Sequence, residues 1–264
     1  TRSVVLSLTR GLFASSPVSG PTARYYRKLS WASATFAILS DVAMGALGGS
    51  LKLKEKLTGR FADALSWMYI GTSVLRRYEA EGRRREDLPF VHFAMNHALH
   101  EIQKAFDGIF ANLPVPGLTW LFRGPLYAWS HFNSLARDAN DYQTHKIASL
   151  IMSDTEQRTR LTEGIYMPED GQLALLEETF RVVKQAEVID RKVRAAVKAR
   201  TIAKAKGRAL YDSALAANVI TADEHALLAR AEQLRDEAIQ VDDFSQEEYL
   251  TRGAETNVAE QEVA

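Results

Sequence analysis

The residues best suited to chemistry are the histidines of HFAMNHALHE, which sets His92, His97 and His100 along one helical stretch with Glu101 after the last. His97 and His100 share a face at a spacing of three, and His92 lies five before His97. A zinc-peptidase helix needs two histidines four apart with the glutamate beside the first, so both order and spacing differ. A catalytic zinc also takes three protein ligands, and no third is indicated, because His131, His145 and His225 are scattered. These histidines read as polar positions at the edge of a bundle. Glu79, Glu81 and Glu101 read as solvated helix-face acids, exposed charge being the default. Two basic runs, RRYEAEGRRRED and KARTIAKAKGR, could meet phosphates. Acids interrupt the first, and neither interleaves the aromatics on which single-strand binders stack bases, so no nucleic-acid partner is expected. No serine-nucleophile motif, Walker loop or dinucleotide glycine fingerprint occurs, and the GGS at Gly48 reads as a helix C-cap. The sequence therefore offers no catalytic, cofactor-binding or metal-ligating residue.

A different chemistry, apolar contact, is concentrated in LPVPGLTWLFRGPLYAWSHFN, Leu113 to Asn133. Its candidate contact residues are Trp120, Leu121, Phe122, Arg123, Tyr127, Trp129 and Phe132. An aromatic side chain buries ~150–250 Å², so at ~25 cal/mol per Å² half-burial of all five aromatics is worth on the order of 10 kcal/mol. That rivals the net stability of a domain, roughly 5–15 kcal/mol, and demands an apolar partner: the protein's own core, another domain or a bilayer. Pro114, Pro116 and Pro125 are expected to break the segment, leaving Gly117 to Gly124 as its longest proline-free piece, ~12 Å of helix. A bilayer core is ~30 Å thick, so this piece cannot span one, although it can lie in the interface.

The surrounding elements read as helical. The chain has 264 residues, 46% hydrophobic and 25% charged, the balance of a soluble globular protein. Apolar residues recur at spacings of three and four: Tyr25, Leu29, Ala32, Phe36, Leu39, Ala43 and Leu47, ending at Gly48-Gly49; Leu57, Phe61, Leu65, Met68, Thr72, Leu75 and Tyr78, ending at Gly82; and Val91, Met95, Ala98, Ile102, Ala105 and Ile109. Three such helices with short joints predict an all-α, antiparallel helical bundle. YQTHKIASLIMSD predicts a short helix. The stretches from Met167 and from Thr221 predict a helical hairpin, the second opened by Thr221 and Glu224 at capping-box spacing. The expected organisation is residues 1–20 as the end of an upstream region and linker, 21–152 as the bundle with its aromatic insertion at 113–133, 153–242 as C-terminal helices, and 243–264 as a flexible acidic tail. The opening TRSVVLSLTRGLF, without an initiator Met or signal-peptide order, reads as cut from a longer chain. Absence of cysteine excludes a disulfide framework and thiolate chemistry. Net charge is zero but uneven: residues 1–150 carry 18 Lys+Arg against 11 Asp+Glu, and residues 151–264 carry 15 against 22. A basic front half could face an anionic membrane or ligand phosphates, or the charges could be solvated surface.

Several blocks in order, SPVSGPTARYYRKLS, LGGSLKLKEKLTGRFADALSWMY, LRRYEAEGR followed by DLPFVH, and LLARAEQLRDEAIQVDDF, resemble the C-terminal extension of FadE-type bacterial long-chain acyl-CoA dehydrogenases. The resemblance runs from about Ser15 to Phe244. GRFADALSWMYIGTSVLRR is also similar to the helical domain of ordinary acyl-CoA dehydrogenases, which implies a degenerate copy of that bundle. The resemblance implies a parent flavoprotein that oxidises fatty acyl-CoA to trans-2-enoyl-CoA in fatty acid β-oxidation. In such an enzyme a glutamate takes the α proton, FAD the β hydride, and an electron-transfer flavoprotein the electrons. No segment here matches the flavin, acyl or glutamate-base motifs, so FAD is expected in the parent and not in this chain. The implied partners are the upstream dehydrogenase core and a membrane surface, and the implied location is the bacterial cytoplasm, peripheral to the inner membrane. A free-standing membrane-peripheral helical protein is the alternative.

Overall fold

A computed structural model describes residues 2–153 and 156–240, and every regular element among them is helical. The all-α expectation holds. The chain divides into two compact units, Thr1–Met152 and Ser153–Ala264, each with its own apolar core.

The first unit contains α1 (Arg2–Leu8), α2 (Ala23–Leu47), α3 (Glu55–Ala80), α4 (Leu88–Asn112), α5 (Thr119–Leu121), α6 (Tyr127–Phe132) and α7 (Asp141–Ile151). On α4, Val91, Met95, Ala98, Ile102, Ala105 and Ile109 are all buried, as the spacing predicts. On α2, Tyr25, Leu29, Ala32, Leu39 and Ala43 are buried, with Phe36 and Leu47 packed at the edge of the same core. The stripe on α3 is different. Leu65 is 56% exposed and Thr72 faces solvent, while Ala64 and Gly71 turn inward.

The reason is close helix packing. α3 and α4 run antiparallel, Gly71 of α3 lying beside Met95 of α4, and Gly108 of α4 beside Arg60 of α3. A methyl group added at Gly71 would sit 3.3 Å from Met95 Cε, and one at Gly108 would sit 2.7 Å from Arg60 Cδ. Small residues let the backbones approach, and the larger side chains of the pattern are displaced outward. Positive φ at Gly48 (50°) and Gly82 (85°) turns the chain just past α2 and α3, a conformation in which any Cβ is strained.

The second unit contains α8 (Glu156–Leu161), α9 (Gly171–Lys198), α10 (Arg208–Ala216) and α11 (Ala222–Ala238). α9 and α11 pack antiparallel, with Lys192 paired to Glu224 at 3.0 Å and Arg230 to Glu178 at 2.7 Å. Thr221 caps α11 reciprocally: its hydroxyl accepts from the Glu224 N–H at 3.2 Å, and the Glu224 carboxylate accepts from the Thr221 N–H at 2.8 Å. A helix the sequence reading did not anticipate, α10, lies between them and buries Ala214. The tail expected at 243–264 lies outside the described residues.

Candidate functional site

The aromatic segment is less broken than its prolines predict. Helical backbone runs without a gap from Thr119 to Phe132, and Pro125 sits inside it. Proline has no N–H to donate and its ring strikes the carbonyl four residues back. Here Phe122–Leu126 widens into a π turn, in which the Tyr127 N–H donates to the Phe122 carbonyl five residues earlier. Such a turn removes the need for the missing donor. Even so the helix is only about 21 Å long at 1.5 Å per residue, still short of a ~30 Å bilayer core.

Hydrogen bonds hold this helix against α4. The Asp107 carboxylate accepts from Gln103 Nε2 (2.7 Å) and Ser130 Oγ (2.7 Å) through one oxygen and faces His131 Nδ1 (3.2 Å) with the other. Gln103, buried on α4, also donates to the Ser130 carbonyl at 3.1 Å and accepts from the Leu135 N–H at 3.0 Å. On the α1 side, Trp129 Nε1 donates to Ser7 Oγ at 2.9 Å, and Asn133 Nδ2 donates to the Ser7 carbonyl at 2.6 Å. Arg10 Nε donates to Asn133 Oδ1 at 2.9 Å, and Lys28 donates to the Leu135 carbonyl.

This scaffold sorts the seven candidate contact residues. Phe122 is 7% exposed and packs on Phe110 at 6.1 Å between ring centres, so it belongs to the core. Leu121 and Tyr127 are half-buried, Tyr127 stacking on His131 at 6.0 Å. Trp120 is 68% exposed, Phe132 81% and Trp129 46%, and Arg123 is exposed as well. Trp129 and Phe122 line a cleft of about 360 Å³ with Val4, Leu8, Ile38 and Phe110. The outer side of α2 extends this apolar surface. The stretch Ala23–Leu53 is long and apolar enough to cross a membrane by length and composition, with a mean hydropathy of 1.4 and only 11% of its apolar window buried. Tyr25, Leu29, Trp31 and Ala32 are nevertheless in the bundle core, which makes α2 a core helix with a greasy outer face. A second bare apolar surface lies on α3, where Leu65, Tyr69 and Ile70 are exposed within the uncharged stretch 64–75.

The polar groups beside the aromatic helix do not assemble a reaction centre of the serine type. Asp107, Ser130 and His131 touch, but the carboxylate stands between the other two. Ser130 Oγ therefore bonds to a carboxylate and not to the imidazole base that a serine nucleophile requires. The histidines go to separate partners: His92 Nδ1 to the Tyr25 hydroxyl at 2.8 Å, His97 Nδ1 to Asp138 at 3.2 Å, and His225 Nε2 to Asp212 at 2.7 Å. Among the described residues no three His, Asp or Glu side chains converge as a metal site would need. Glu101 pairs with Lys104 at 2.9 Å and Glu81 with Arg77 at 2.7 Å, both on helix surfaces. Glu79 departs from the solvated reading. Its side chain is only 18% exposed; one oxygen meets Arg83 Nε at 2.5 Å, and the other is buried without a hydrogen bond. Burial, followed by this carboxylate, raises the pKa values of the Tyr26 and Tyr78 hydroxyls.

The model of the bacterial-type acyl-CoA dehydrogenase C-terminal domain matches residues 1–244. The chain belongs to this family. Its parent is thus an acyl-CoA dehydrogenase, an oxidoreductase, and such an enzyme implies FAD. No solved structure matches the chain. The cleft beside the aromatic helix does not suit a flavin. The 360 Å³ cleft is the most apolar cavity described, and its only polar side chains are Ser3, Ser7, Thr35 and the Trp129 N–H. Its lining brings no cation to meet a pyrophosphate.

Proposed function

We propose that this acyl-CoA dehydrogenase C-terminal domain is a non-catalytic accessory bundle of a FadE-type enzyme. The parent oxidises long-chain fatty acyl-CoA to trans-2-enoyl-CoA in β-oxidation, holds FAD in its upstream core, and passes electrons to an electron-transfer flavoprotein. The bundle supplies apolar contact and works at the cytoplasmic face of the inner membrane. The observation that carries this reading is the exposure of Trp120, Trp129 and Phe132 on a helix whose other side is fixed by Asp107, Gln103 and Ser7. Monomeric proteins rarely leave such patches uncovered. Trp and Arg are suited to the headgroup level of a bilayer, where Arg123 can pair with lipid phosphate, and the excess of cations in residues 1–150 favours an anionic surface.

Docking on the upstream dehydrogenase core is the second reading. It is favoured by Leu65, Tyr69 and Ile70 on α3, an exposed surface without the charges that an interfacial helix normally carries. Spectroscopy and assay of the purified 264-residue chain test the non-catalytic assignment. The expected result is no flavin absorbance and no acyl-CoA oxidation, and either activity would overturn it.

A further inference from the structure

The cleft beside the aromatic helix has two unlike ends. α1 lies along α2 in the opposite sense: a Cβ at Gly11 would stand 3.0 Å from the Arg27 carbonyl and 3.6 Å from Trp31 Cβ, while Val4, Ser7 and Leu8 line the cleft together with Thr35, Ile38 and Leu39. The cleft thus follows α2 from beside Trp31 to Leu39, about 12 Å at 1.5 Å per residue. Phe122 and Leu126, the first and last residues of the π turn, form a third wall with Trp129. π turns gather at functional sites. Ser7 Oγ already accepts from Trp129 Nε1 at 2.9 Å, so an apolar guest strands neither group.

The end toward Trp31 is cationic. Arg10, just past α1, is tied to the wall by two hydrogen bonds in series. Its Nε donates to Asn133 Oδ1 at 2.9 Å, and Asn133 Nδ2 donates at 2.6 Å to the carbonyl of Ser7, a lining residue. Nε is spent on Asn133, so a ligand would meet the two Nη groups, whose paired N–H bonds suit a carboxylate. A guanidinium held in this way also loses little freedom when it captures an anion. The opposite end, at Val4 and Ile38, carries charges of both signs in Arg2 and Asp41 and gives an anion no net attraction. Arg123, exposed beside Phe122, is the alternative cation on the aromatic helix.

We infer that this cleft binds a free fatty-acid carboxylate, with the hydrocarbon chain along α2 and the head group at Arg10. Its volume of about 360 Å³ lies near the lower bound for small-ligand sites, roughly 300–1,000 Å³. That suits one chain and not the two of a phospholipid. Burying the chain removes the apolar walls from water, and Arg10 selects for the anion. The site stands apart from the bilayer reading, because Trp120 and Phe132 do not line the cleft and only Trp129 serves both.

The test titrates sodium decanoate, below its micelle concentration, into the full 264-residue chain while following tryptophan fluorescence. Decanol serves as the uncharged chain and butyrate as the head without it. Saturable decanoate binding is expected, with decanol weaker and butyrate silent. Ile38→Glu sets a carboxylate against the chain, and Arg10→Gln removes the partner of the head. Each should weaken decanoate about tenfold or more, and Arg10→Gln should leave decanol unchanged. Leu8→Glu, at an exposed position, replaces Ile38→Glu if that variant melts below the parent. The Trp120→Ser, Phe132→Ser variant and the Arg123→Gln variant should both bind as the parent does, which separates this site from membrane contact. No saturable decanoate binding, full binding by the glutamate variant, unchanged decanoate affinity in Arg10→Gln, or loss of binding in Arg123→Gln overturns the site.

Discussion

Trp120 and Phe132 separate contact from folding. With side-chain areas of ~150–250 Å² and exposures of 68% and 81%, the pair presents on the order of 300 Å² of apolar surface. At ~25 cal/mol per Å², covering half of that surface is worth roughly 4 kcal/mol, or more than a hundredfold in partitioning. A Trp120→Ser, Phe132→Ser variant should therefore lose at least tenfold in sedimentation with anionic vesicles. Its melting temperature should move by no more than about 2 °C, because exposed substitutions stay within about ±0.5 kcal/mol. Phe122→Ala is the control. At 7% exposure against Phe110 it should cost about 3–5 kcal/mol of stability. Equal sedimentation of the double variant and the parent would refute the bilayer contact. A large loss of its stability would show that Trp120 and Phe132 are structural.

Other perturbations probe the supports. Asp107→Ala takes the acceptor from Ser130 Oγ and one acceptor from Gln103 Nε2, which keeps the Ser130 carbonyl; an expected loss of about 1–3 kcal/mol is measurable by urea denaturation, and no loss would contradict the proposed fastening of the aromatic helix. Gly71→Leu drives a side chain into Met95 and Leu29, and should destabilise the first unit by about 1–3 kcal/mol or more, whereas unchanged stability would deny the close α3–α4 approach. Burial, then Arg24 and Lys146, hold the His92 imidazole below its ordinary pKa. The unfolded chain therefore takes up the proton first, and stability falls as pH drops through about 6.5 until the folded imidazole itself protonates. Melting curves across that range should show a shallower decline for His92→Gln, and an unaltered slope would contradict the assignment.

Much of the fold was legible because large apolar residues mark helix faces. On α4 that signal is undiluted, and every expected core position is buried. On α3 it misplaced Leu65 and Thr72, since Ala64 and Gly71, which carry almost no hydrophobic signal, occupy the contact with α4. α10 was missed although Leu210, Tyr211, Ala214 and Leu215 are spaced as a helix face; the basic run before it drew attention to charge. The capping box of α7 was also readable, because Asn140 and Gln143 stand at the required spacing and bond reciprocally.

The candidate site was legible in composition and not in arrangement. Pro125 predicts a break, but a π turn is a backbone adjustment that leaves no residue pattern of its own. Which aromatics face inward follows from that turn, so the burial of Phe122 and the exposure of Trp120 could not be separated by spacing. The contacts of Asp107 and Gln103 with Ser130 join residues more than twenty positions apart, beyond what a local reading can pair.

The most direct measurement uses the complete dehydrogenase carrying Trp120→Ser and Phe132→Ser, compared with its parent for flavin content, turnover per flavin and partition to the membrane fraction. The account predicts unchanged flavin content and turnover with loss of membrane partition. A fall in turnover per flavin while membrane partition stays the same would contradict it.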